Sequence, residues 1–156
     1  MLKQQLIAEL DVSEQFFNNS SKMLAEGDSG FSPKEGMYST AQQVKHIAGT
    51  IHWYLDGAFN PDGFDMDFEK HEAILRDARS LEKSRGELKE AFDRARSMVR
   101  DMSEEDWMAP LPEGPVMGGL PRFGIIGAIV EHTAHHRGSL ATYTRLLGKV
   151  PPMPYM

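Results

Sequence analysis

Residues 131–140, EHTAHHRGSL, place three histidines and an arginine within six positions of an otherwise apolar helical run. Imidazoles at that density suit a metal site, an acid/base site or a plain polar helix edge. Choosing among them requires the direction of each ring. At about 100° of rotation per residue, His132 and His136 share the face that carries Ile125, Ile129, Leu140, Tyr143 and Leu147. His136 lies at the centre of that face and His132 at its edge. His135 falls on one flank with Ser139, and Arg137 on the other. Helix positions four apart have Cβ atoms about 5–6 Å from each other, so two such rings can turn onto one ion at about 2.1 Å. His132 and His136 are therefore a credible ligand pair. Two neutral core histidines bonded to carbonyl oxygens are the competing reading, because burial disfavours imidazolium.

A third ligand has to come from a facing helix. The segment TAQQVKHIAGTIHWYLDGAF offers His46 and His52. His52 shares a solvated arc with Lys45 and Asp56. His46 lies beside Trp53 and Thr50, where the polar arc gives way to the apolar one of Val44, Ile47, Ile51 and Leu55. From there it can reach inward, although it is not centred on the apolar stripe. Three neutral imidazoles around a divalent ion leave coordination positions open, which is the ligand set of a catalytic rather than a closed structural site. Thr50 and Trp53 beside His46, and Arg137 and Tyr143 beside the pair, are the candidates to line a substrate pocket. Trp53 also reads, with Trp107 and the ten methionines, as a packing residue, and His71 reads as a surface residue.

The elements that must hold these residues show helical periodicity and almost no strand alternation. Leu2, Leu6, Leu10, Phe16 or Phe17, and Leu24 mark a first amphipathic helix, stopped by Gly27 and Gly30. Ser39 and Gln42 have capping-box spacing, so a second helix starts near residue 40 and ends at NPDG. From about residue 67, Ile74, Leu81, Leu88, Ala95 and Met102 recur at one heptad spacing, which predicts a single long third helix. Ser103 caps a short turn, APLPEGPVMGGLPR forms a long crossover, and residues 123–148 form the last helix, closed by Gly148 before an extended tail, 149–156. The expected fold is all-α, one four-helix bundle spanning 1–156.

Composition sets the outer bounds. At 156 residues the chain can bury one sizeable core without staples. A net charge of -6 opposes nucleic-acid binding, which depends on neutralising phosphates. Cysteine is absent, so thiolate ligands, disulfides and a cysteine nucleophile are excluded, and any metal must use nitrogen and oxygen. The longest apolar run, FGIIGAIV, is too short to cross a bilayer, and the expectation is a cytoplasmic protein with no membrane partner.

The segments QQVKHIAG and HTAHHRG, separated by a long helical stretch, resemble the DinB-like (DinB/YfiT-like) family of small bacterial metal-binding four-helix proteins, and the likeness covers most of the chain. The resemblance implies an up-down-down-up bundle and a divalent ion, nickel or zinc above iron or manganese, on His46, His132 and His136. It also implies a homodimer and a metal-dependent enzyme, either a thiol-dependent S-transferase or a related hydrolase or isomerase, in which the metal activates a low-molecular-weight thiol. The alternative is a non-catalytic, stress-associated metal-binding or interaction module. A glutamine commonly follows His-Arg-Gly in the family, and Ser139 stands there in this chain.

Overall fold

A computed structural model describes residues 1–156, which form six helices and no strand. They are α1 (Leu2–Ser21), α2 (Thr40–Phe59), α3 (Phe68–Arg76), α4 (Leu81–Asp101), α5 (Glu104–Met108) and α6 (Gly124–Leu146). The four long helices make the bundle, and the cross-helix contacts give their directions. Lys3 reaches the carbonyls of Arg100 and Met102 while Arg85 reaches Ser21, so α1 and α4 are antiparallel. Lys45 pairs with Glu87 and Arg94 with Asp56, so α2 and α4 are parallel. His46 meets His132 while Gln43 meets Tyr143, so α2 and α6 are antiparallel. The order is up-down-down-up.

The apolar spacing explains each buried face. In α1, Leu6, Leu10, Ser13 and Phe17 face the core, and in α2 the inward arc is Val44, Ile47, Ala48, Ile51 and Leu55. The capping box at the start of α2 forms as the spacing predicts: Ser39 Oγ accepts from the Gln42 amide, and Gln42 Oε1 accepts from the Ser39 amide. Ser103 and Asp106 make the same box for α5.

The single long third helix does not form. It is split at residues 77–80, where Ser80 caps α4 by accepting from the Lys83 amide at 3.1 Å. The free amides of the new helix start are satisfied from far away in sequence: Leu81 N donates to Ser29 Oγ at 2.8 Å and Glu82 N to Glu26 Oε2 at 2.7 Å. The heptad seam is real from Leu81 to Met102. It fails at Ile74, which is 54% exposed, and Leu75 is buried in its place.

Three connections are long, the first being residues 22–39 between α1 and α2. Residues 102–123, the crossover expected before the last helix, hold α5 and one antiparallel bridge between Pro110 and Pro121. Residues 60–80 return from the end of α2 to the other end of the bundle, as two parallel neighbours require, and they carry α3 across the face of α2. Gly148, with φ of 74°, adopts the left-handed turn that closes α6. The tail then folds back over its own chain. Asn19 Nδ2 donates to the carbonyls of Pro154 and Met156, and Tyr155 packs edge-on against Phe16 at 4.9 Å. No helix is long and apolar enough to cross a membrane.

Candidate metal centre

Three imidazoles converge where α2 and α6 cross. His46 sits two turns into α2, and His132 and His136 occupy successive turns of α6. His132 Nε2 lies 3.1 Å from His46 Nε2 and 3.2 Å from His136 Nε2, and one ligand atom from each ring lies within 4.8 Å of the others. Nitrogens bound to one ion at about 2.1 Å are separated by about 3.0–3.4 Å, between octahedral and tetrahedral geometry. The spacing fits a single divalent ion.

Donor chemistry supports the same fit. His136 is buried, and its Nδ1 lies 2.5 Å from Gln43 Oε1. A carboxamide oxygen can only accept, so Nδ1 carries the ring proton and Nε2 presents a lone pair to the other two rings. Gln43 is in turn fixed by donating through Nε2 to the Tyr143 hydroxyl at 3.2 Å, which donates to the Tyr38 carbonyl at 2.8 Å. This relay from backbone to ring sets both the tautomer and the orientation of a ligand. Replacing Gln43 with leucine, which keeps volume and removes the acceptor, is expected to weaken zinc binding by about 10- to 100-fold. Calorimetric titration checks it, and a change under threefold would mean that the relay does not orient His136.

Burial also sets the charge state. It holds His132 down at about 4 and His136 at about 3, reinforced by neighbouring imidazoles, and lowers His46 for the same first reason. All three are neutral at pH 7, as ligation requires. An unfolded imidazole takes its proton near 6.5, so from there down to about 4 the unfolded chain binds more protons than the folded one. Stability of the metal-free protein therefore falls as pH falls through that window. Solvent screening limits the loss to roughly 2 kcal/mol for the pair. Thermal melts at pH 7 and pH 4.5 in the presence of a chelator measure it, and an unchanged contribution in a His132→Asn, His136→Asn double variant would contradict the assignment.

His46 and His132 open onto a cavity of about 530 Å³ between α2, α3 and α6. Thr50 and Trp53 line it, as their place beside His46 suggested. Two other pocket candidates lie elsewhere. Tyr143 is buried behind the triad, where it holds Gln43. Arg137 is on the far side of α6, over the rings of Phe16 and Tyr155 at 5.7 and 5.9 Å, and lines a separate groove against α1. His52 faces α4, 3.0 Å from Arg94, and His135 is exposed. Ser139 bonds back to the His135 carbonyl and does not line the cavity.

Sequence reasoning missed the contribution of α3. His71, read as a surface residue, lines the cavity with its Nε2 3.4 Å from Asp65, and Glu72 lines it beside His71. Glu72 accepts from the Tyr38 hydroxyl at 2.6 Å and from Arg76 at 2.7 Å, with the Tyr38 bond first in holding its carboxyl below the usual range. Tyr38 is pushed up to about 12, chiefly by burial, so its hydroxyl keeps the proton it donates. Gln43 was also missed, although rotation places it inward between His46 and Ile47, where a polar side chain needs partners.

No curated protein matches the sequence. Among solved structures, YfiT from Bacillus subtilis, described as a probable metal-dependent hydrolase with an unusual four-helix bundle topology, superposes with a TM-score of 0.72 at 16% identity, over 94% of this chain and 88% of that one. The DinB-like protein YjoA from Bacillus subtilis gives 0.69 at 15% identity, over 97% of each chain. At such identities the likeness establishes the fold. The sequence pattern of the DinB superfamily matches residues 9–140, which include all three histidines, and the chain belongs to that superfamily.

Proposed function

We propose that the chain is a metal-dependent enzyme that acts on a small molecule, as a thiol-dependent S-transferase or a related hydrolase, and that His46, His132 and His136 hold its divalent ion. The observation that carries this reading is the convergence of three neutral imidazoles, two of which, His46 and His132, line a cavity large enough for substrate. Imidazole donors suit nickel, zinc or iron in preference to magnesium or calcium. An ion there would make a thiol or water acidic enough to act as a nucleophile at neutral pH. The protein's own groups supply the rest. Glu72, held ionised on the α3 side, can accept the proton released, and Tyr38 keeps its carboxylate aimed through the hydrogen bond to Oε2. Gln43 fixes the ligand ring.

Screening metal-loaded protein with several low-molecular-weight thiols against electrophilic substrates tests the reading. Turnover that disappears with a chelator and returns with added metal supports the enzyme. Tight metal binding without thiol binding or turnover would identify a non-catalytic module. The proposal includes a homodimer, expected to scatter light as twice the 17.5 kDa chain.

A further inference from the structure

The cavity beside the triad has an uneven chemistry. On α2 its wall is Lys45, His46, Gly49, Thr50, Trp53 and Tyr54, six positions on one helix face. Glycine is a poor choice inside a helix, since it is the least helix-favouring residue after proline. No close packing requires it here, because a Cβ built on Gly49 meets nothing within 4 Å. What its missing side chain leaves is open space one turn from a metal-ligand candidate and one turn from an indole.

The indole is held ready. Trp53 Nε1 donates to the Asp65 carbonyl at 2.7 Å, and its ring packs on Phe64 at 4.8 Å. At the rim, Phe68 is 57% exposed and Ile74 is 54% exposed, an unusual placement for large apolar side chains beside a polar centre. The charged groups that line the cavity are already matched, Lys45 with Glu87 and Glu72 with Arg76, while His71 Nε2 is left without a hydrogen-bond partner. None of these charges is left over to hold a charged ligand body.

We infer that this cavity takes a small molecule with an uncharged aromatic body and one metal-binding group, the body lying over Gly49 against Trp53 and Phe68. The inference rests on the metal reading of the triad and adds the class of molecule that the site selects. Gly49 is a specificity-determining position: its lack of a side chain keeps the space that the ring occupies.

Two probes with the same metal-binding head separate the body from the head. Acetohydroxamate and benzohydroxamate are titrated calorimetrically into the zinc-loaded full chain, each corrected for its affinity for free zinc. Benzohydroxamate is expected to bind at least about tenfold more tightly, because a phenyl ring replaces a methyl group against apolar walls. In Trp53→Ala that ratio should fall to within about threefold of unity, and in Gly49→Leu benzohydroxamate binding should be lost while acetohydroxamate binding stays. Zinc uptake by each variant confirms that it is folded. Equal corrected affinities in the wild-type chain, or a ratio unchanged in both variants, overturn the inference and leave the metal reading standing. Failure of the wild-type chain to bind zinc overturns both.

Discussion

Alanine at His46, His132 or His136 is expected to lower zinc affinity by at least about a thousandfold, because each ring would be one of only three protein donors and its removal would leave two. Alanine at His52 or His135 leaves affinity within about threefold, since one faces Arg94 on α4 and the other faces solvent. Calorimetry on protein free of affinity-tag histidines reads both sets. The pattern depends on direction rather than proximity: His135 is adjacent to His136 in sequence, with ring centroids 4.9 Å apart, yet belongs to another face of α6. Equal losses at His135 and His136 would sink the three-ligand centre. Because a bound ion stabilises the folded state by mass action, the same variants should also lose the zinc-dependent rise in melting temperature.

Trp107→Ala is the substitution with the largest expected cost to the fold itself, about 3–5 kcal/mol. Trp107 is fully buried and plugs the bundle end opposite the histidines, with its ring edge-on to Phe59 at 5.1 Å. Its carbonyl accepts from Phe123 N at 2.9 Å, which ties the 102–123 connection to the start of α6. For a chain of this size the loss lowers the melting temperature by about 10 °C. Zinc affinity measured well below that temperature should stay within about threefold, because the relay from Tyr38 through Gln43 to His136 lies two or more turns away from the plug. Thermal denaturation followed by circular dichroism, paired with zinc titration, measures both quantities. A loss under about 1 kcal/mol would mean that neighbouring side chains collapse into the space.

What could be read from the sequence follows the range of the interactions involved. The start of α2 was legible because Ser39 and Gln42 cap it with atoms three residues apart. The pair His132 and His136 was legible because helical rotation alone fixes two residues one turn apart. The break before α4 was not, since its capping groups include Ser29 and Glu26, more than fifty residues upstream. That break reorients α3 and brings His71 and Glu72 to the cavity, so one missed turn concealed half of a wall. Arg137 shows the converse: its charge beside the ligands suggested a role there, but its flank position takes it to Phe16 and Tyr155.

The division between α3 and the four long helices has consequences for how such a protein can diversify. The three histidines proposed to hold the ion belong to helices that also form the core, so drift at those helices risks unfolding. The opposing wall is carried by residues 60–80, a return segment with a single buried side chain, Leu75. Mutations there can remodel what enters the cavity at little cost to the bundle. Selection can thus explore new substrates on one short segment while the bundle keeps its shape, a fold shared by chains only 15–16% identical.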